Sequence, residues 1–159
     1  MATELKNLSE YDAEGLPDLS EKRFGIVTAS YNPEITGALQ KGALNTLLKH
    51  GAKPEHVITK LVPGSFELSL GAQWMAERED IDAVICIGCV IKGETPHSDY
   101  ICHAVAQGLK DVALKYNKPV IFGVLTPLSY EQARDRAGGR HGNKGDEAAI
   151  SAIRMLGFK

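Results

Sequence analysis

The segment Lys92-Gly-Glu-Thr-Pro-His-Ser-Asp-Tyr100 gathers an imidazole, a carboxylate and a hydroxyl within a few residues. Thr95 suits a helix N-cap and Pro96 the first helical position. A helix starting there aims open backbone N–H groups at an anion. His97, in its first turn, would stand beside that anion and exchange protons near neutral pH. For an isolated Thr-Pro-His, a solvated cap with an incidental histidine fits as well. The same stretch narrowly misses a P-loop. Gly88 and Gly93 have the spacing, but Glu94 stands where the phosphate-binding lysine belongs.

Three further clusters could do chemistry. Arg134-Asp-Arg136-Ala-Gly-Gly-Arg140-His-Gly-Asn-Lys144-Gly145 is basic and glycine-rich. Arg136 can grip a phosphate through two parallel hydrogen bonds, and Lys144 adds a point charge. Such a segment also fits a solvated turn. In Pro63-Gly-Ser65-Phe66-Glu67, the carboxylate can accept hydrogen bonds from a polyol or a ring N–H, or simply stabilise a helix start. Tyr31-Asn32-Pro33 offers an aromatic face at a strand end, with Asn32 as N-cap and Pro33 as first helical residue. Tyr31 could equally be a packing residue. Cys86 and Cys89 form a C-x-x-C, but within an apolar run that reads as a strand, where positions three apart face opposite sides.

The elements that must position these clusters alternate along the chain. Strands are expected at Phe24–Ala29, Val57–Val62, Ala83–Ile91 and Val120–Leu125. Helices are expected at Pro33–His50, Phe66–Arg78, Pro96–Tyr116, Ser129–Ala137 and Asp146–Leu156. The first should bury Ile35, Leu39, Ala43 and Leu47. The second reads through Phe66, Leu70 and Trp74, and the third through Ile101, Val105, Leu109, Val112 and Tyr116. Ser129 with Gln132 fits a capping box. The third strand is apolar throughout and so expected near the sheet centre. Four βα alternations predict an α/β fold, a three-layer α/β/α sandwich on a parallel sheet of about four strands. Ligands on such sheets bind beyond the carboxyl ends of the strands, which is where the clusters fall.

The chain has 159 residues, enough for one domain with a full core, and a formal net charge of -2. Residues 1–22 hold six acids and two bases and read as an arm or a disordered tail. Residues 23–159 read as the single domain. They carry fourteen acids and sixteen bases, a balance that suits a small anion better than nucleic acid. No apolar run approaches the roughly 20 residues of a membrane helix. No signal segment opens the sequence, and three cysteines fit reduced thiols, so a cytoplasmic location is expected.

Taken in order, Pro-Gly-Ser-Phe-Glu at 63–67, Gly-Cys-Val-Ile-Lys-Gly-Glu-Thr-Pro-His-Ser-Asp-Tyr at 88–100, Pro-Val-Ile-Phe-Gly-Val-Leu-Thr at 119–126 and Arg-Ala-Gly-Gly-Arg-His-Gly-Asn-Lys-Gly at 136–145 resemble the lumazine synthases. The similarity runs from about residue 23 to 157. It implies a flavodoxin-like fold. It also implies condensation of a ribitylamino-pyrimidinedione with a four-carbon ketone phosphate, the penultimate step of riboflavin biosynthesis, with no cofactor and no metal. By the resemblance His97 is the proton-transfer residue. The backbone at Glu94 and Thr95 and the side chain of Arg136 hold the phosphate. Tyr31, beside Asn32, stacks on the pyrimidine where Phe or Trp is usual. Ser65, Phe66 and Glu67 hold the ribityl chain and ring; Cys89, Val90, Ile91 and Phe122 line the same substrate, and Lys144 adds a polar contact. Ser69 stands where many members have proline. The family forms pentamers, some assembled into icosahedral shells, with sites shared between subunits and riboflavin synthase as an associated enzyme. The expected partners are therefore two small molecules and further copies of the chain, with neither nucleic acid nor membrane.

Two other readings use the same residues. One is a flavodoxin-like binding module for a phosphorylated ligand. The other is a carrier of lumazine or riboflavin that has lost turnover; His97 and Arg136 argue against it, since a carrier needs neither.

Overall fold

The structure is a computed structural model that describes residues 7–158. Its centre is a four-stranded parallel sheet in the order β2-β1-β3-β4, with β1 Phe24–Ala29, β2 Val57–Val62, β3 Ala83–Cys89 and β4 Val120–Leu125. Every residue of β1 and β3 is buried. These two strands share the sheet centre, and strand alternation divides their side chains between two cores. Phe24, Ile26, Ile85, Ile87 and Cys89 face one layer, while Val27, Ala29, Val84 and Cys86 face the other.

Helices α1 (Pro33–Lys49) and α5 (Lys144–Phe158) cover the first face. Ile35, Leu39, Ala43 and Leu47 of α1 are buried, as the helical period predicts. Gly51, at a φ of 98°, ends this stretch in a conformation that disfavours a side chain. Helices α2 (Leu68–Ala76) and α3 (His97–Tyr116) cover the second face. In α3, Val105, Leu109 and Val112 are buried, with Ile101 and Tyr116 packed against them. The result is the expected three-layer sandwich.

Several local expectations are corrected. Helix α2 begins at Leu68 and turns the other way from its reading. Leu68, Gly71, Ala72, Met75 and Ala76 are buried, while Phe66, Leu70 and Trp74 are exposed by 57%, 49% and 62%. Both stripes have helical spacing, and the smaller residues pack closer to the sheet. At Gly71 an added Cβ would lie 2.8 Å from Val27. Strand β3 ends at Cys89, two residues early, although the Val90 N–H still reaches the Leu125 carbonyl at 2.8 Å. The short helix α4 spans Tyr130–Asp135, where Ser129 caps it by accepting from the Gln132 N–H. The stretch after it is a hairpin of β5 (Ala137–Gly139) and β6 (Gly142–Asn143), not a loop, and Lys144 already opens α5.

Of the arm expected at 1–22, residues 1–6 lie outside the described residues, as does Lys159. Residues 7–22 lie along their own chain. Leu8 and Leu19 are buried, and Tyr11 and Leu16 pack on the α1/α5 core. The Tyr11 hydroxyl meets His50 Nε2 at 2.9 Å.

The α1–α5 crossing is closed by Gly145. A Cβ there would collide with the carbonyl oxygen of Leu39 and come within 2.8 Å of its carbon. Gly145→Ala should therefore cost about 2–3 kcal/mol through overpacking and lower Tm by roughly 5–10 °C. Gly37 of α1 has nothing within 4 Å of such a Cβ, so Gly37→Ala should leave Tm unchanged or raise it slightly. Thermal scans of the two variants check both outcomes.

Candidate functional site

Three chain segments leave β1, β2 and β3 at the same end of the sheet, and they enclose a cavity of about 840 Å³. Tyr31 and Asn32 come from β1, Gly64 to Glu67 from β2, and Cys89 to Ile91, Gly93 and Thr95 from β3. His97, Ser98 and Ile101 complete it from the start of α3. A parallel sheet brings these segments together because all its strands end on one side.

Asn32 does not act as the side-chain N-cap that its type suggests. It adopts the left-handed region at a φ of 57° and makes no capping bond. Its Nδ2 donates instead to the Cys89 carbonyl at 3.2 Å, joining the ends of β1 and β3. Its own carbonyl accepts from the N–H groups of Ile35 and Thr36, each at 3.0 Å. Asn tolerates this backbone better than most residues, and Tyr31 is thereby held, largely exposed, at the cavity rim.

Thr95 is not the N-cap of α3 either. Pro96 occupies that position without a side-chain bond, and His97 is the first helical residue. The Pro96 carbonyl accepts from Asp99 N–H at 3.0 Å and Tyr100 N–H at 3.4 Å. The amides of His97 and Ser98 remain those that a helix start leaves without an intrahelical acceptor. Glu94, Thr95 and His97 are exposed at this mouth. Glu94 itself does not line the cavity.

At the β2 corner, Glu67 stands just ahead of α2 and its carboxylate accepts from the Gly64 N–H at 2.9 Å. That bond tightens the Pro63–Glu67 turn, buries Ser65 and leaves Phe66 exposed. Ser98 was not singled out from the sequence, yet it is buried and lines the cavity. Its Oγ has no hydrogen-bond partner among the described residues. The available signal was its place on the Ser98-Ile101-Val105 face of α3.

The remaining expected residues lie elsewhere. Arg136 and Lys144 line a separate recess of about 230 Å³ together with Leu8, Thr126 and Gln132. The Arg136 guanidinium donates to the Gln132 carbonyl at 3.0 Å, and Lys144 Nζ pairs with Glu147 at 3.1 Å. Phe122 sits on edge strand β4, half-buried toward the α2/α3 layer. Within one chain, then, the cavity and the cationic pair are apart.

The C-x-x-C thiols also separate. Cys86 points into the α2/α3 core and Cys89 into the α1/α5 core, so they cannot meet across the sheet. Burial pushes the Cys89 thiol up to about 11 and the Cys86 thiol higher still. Both stay neutral, which suits packing residues and not a nucleophile.

The family model described as 6,7-dimethyl-8-ribityllumazine synthase matches residues 21–159. A 6,7-dimethyl-8-ribityllumazine synthase of Cytophaga hutchinsonii is 60% identical over 156 residues, covering 98% of each chain. Enzymes of the same name from Parabacteroides distasonis and Porphyromonas gingivalis are 56% and 50% identical, each covering at least 99% of both chains.

With raised thiol pKa values, Cys86 and Cys89 should resist iodoacetamide at pH 8 in the folded protein, while all three cysteines react in denaturant. The fold disfavours both thiolates, so their contribution to stability is complete below the ordinary thiol value of 9.0 and is lost as pH rises from there, through about 11 for Cys89 and further for Cys86. Mass spectrometry of the alkylated protein and unfolding curves across that window check the two effects.

Proposed function

This chain belongs to the 6,7-dimethyl-8-ribityllumazine synthase family, and on that premise we propose which of its residues carry the reaction. The protein is the riboflavin-pathway enzyme that condenses a ribitylamino-pyrimidinedione with 3,4-dihydroxy-2-butanone 4-phosphate, releasing phosphate and water. The observation that carries the assignment of residues is the meeting of three strand-end segments in one cavity with His97 at its mouth.

In this reading the pyrimidine stacks on Tyr31 and lies over Cys89, Val90 and Ile91. Asn32 keeps the rim in shape, and Ser65, Phe66 and Glu67 receive the ribityl chain and ring. The substrate amine attacks the ketone to form a Schiff base, phosphate leaves, and the ring closes with loss of water. His97 moves protons in these steps. The substrate supplies its own nucleophile, so most of the acceleration comes from holding two reactants together. The backbone at Glu94 and Thr95 and the open amides at the start of α3 meet the phosphate, with the Arg136 guanidinium opposite, holding charge as it leaves.

The distance of Arg136, Lys144 and Phe122 from the cavity of their own chain supports a site shared between subunits, each cavity being completed by a neighbour. The exposed Phe66 just ahead of α2, with Leu70 and Trp74 on it, supports the same reading, because such a stripe is normally covered. We therefore read the protein as a homo-oligomer built from pentamers. The hairpin between Arg136 and Lys144 has the compact form that suits closure into an icosahedral shell, with riboflavin synthase the partner such a shell would hold. Residues 23–159 form the catalytic domain and 1–22 the arm. The cytoplasm, where thiols stay reduced, suits the three free cysteines.

The decisive measurement is optical: mix the two substrates and follow lumazine formation. The wild-type protein should exceed the spontaneous rate by a wide margin. His97→Gln should lower kcat by about 10²-fold, and Arg136→Ala should raise KM for the ketone phosphate by about tenfold or more. Tight lumazine binding without turnover would establish the carrier instead. Mixing unfolded His97→Gln and Arg136→Ala chains and refolding them together should restore part of the activity, because some shared sites then receive both intact residues. No recovery in mixed oligomers would put the whole site in one chain.

A further inference from the structure

The hairpin joining Arg136 to Lys144 has little of its own to hold its shape. It contains Gly138 and Gly142 at φ values of 102° and 77°, and its pairing slips between Ala137 and Gly139. Glycine is the costliest residue to fix in one conformation. The two ends do meet, since the Lys144 N–H donates to the Arg136 carbonyl at 2.9 Å. Asn143 Nδ2 donates to the Ala38 carbonyl of α1 at 3.0 Å and the His141 N–H to the Asp135 carbonyl at 2.8 Å, and the N-terminal arm adds a further hold. The Leu8 N–H donates to the His141 carbonyl at 2.8 Å. Ser9 Oγ accepts from the Asn143 N–H at 2.9 Å and donates to Asp146 Oδ2 at 2.6 Å. One hydroxyl thus ties the last hairpin residue to the first turn of α5, using its donor and an acceptor site. Gly142 lies so close that an added Cβ would collide with Asn7 Oδ1 and come within 2.7 Å of the Ser9 nitrogen. The buried Leu8 side chain forms a wall of the recess that Arg136 and Lys144 line.

We infer that Leu8 and Ser9 are positioning residues for the Arg136–Lys144 pair, and through it for the phosphate-bearing substrate. The inference rests on the reading of Arg136 and Lys144 given above. If the site is shared, the arm of one subunit tunes the cavity of its neighbour.

The test is steady-state kinetics on Ser9→Ala, Ser9→Thr and Leu8→Ala in the full-length oligomer, varying each substrate in turn and titrating inorganic phosphate as a competitive inhibitor. Ser9→Ala and Leu8→Ala should raise KM for the ketone phosphate and Ki for phosphate about five- to tenfold. They should leave kcat and KM for the pyrimidine unchanged, and Ser9→Thr should restore wild-type values. A merely structural arm would lower active enzyme, and so apparent kcat, with both KM values constant; that result overturns the inference. Should Leu8→Ala fail to assemble, the Ser9→Ala and Ser9→Thr pair still decides. Arg136→Ala runs alongside. If it leaves KM for the ketone phosphate unchanged, the reading of Arg136 fails. If it raises KM while Ser9→Ala does not, only the role of the arm fails.

Discussion

Everything in this molecule follows from burying β1 and β3 on both faces. Two neighbouring strands with no solvent side demand a helical layer above and another below, and parallel pairing sends every connection across those layers. Apart from Thr28 of β1, polar side chains have no place along such strands. They collect where the strands end, and the parallel arrangement puts all the carboxyl ends on one side. The cavity is the space left between Tyr31, the Gly64–Glu67 turn and the Cys89–Thr95 segment at that edge.

The same constraint separates two kinds of chemistry. The cavity floor, with neutral Cys89 under Val90 and Ile91, is apolar and suits a flat ring. The positive charges of Arg136 and Lys144 are carried beyond β4 at the two ends of the hairpin, where both side chains stay partly exposed and Lys144 is paired with Glu147. A reaction that joins an uncharged ring to a phosphorylated ketone needs both surroundings. Keeping them on different parts of the chain avoids placing the cations against the apolar cavity. In the homo-oligomer proposed above, assembly would join the two and cover Phe66, Leu70 and Trp74, which the single chain leaves exposed.

The hydrogen bonds that hold the site are short-range in space and long-range in sequence. Asn32 reaches Cys89 across 57 residues, and Ser9 reaches Asp146 across 137. The Glu67–Gly64, Arg136–Gln132 and Gln132–Ser129 bonds are local, and the Ser129 cap was readable directly from residue spacing.

The sequence by itself determined the period of each element, the strand ranges of β1, β2 and β4, the layer order and the loops that carry polar groups, because these depend on local spacing and on the alternation of strand and helix. It also carried the family, through four motifs in order. Tertiary structure alone decided which stripe of α2 faces inward, since Phe66-Leu70-Trp74 and Leu68-Ala72-Ala76 have equal periodicity and only the closeness of the sheet at Gly71 favours the smaller set. It decided that Asn32 braces β3 instead of capping α1, that the glycine-rich stretch pairs as a hairpin, and that the arm clamps it. Each of these choices depends on a partner many residues away, which local spacing does not encode.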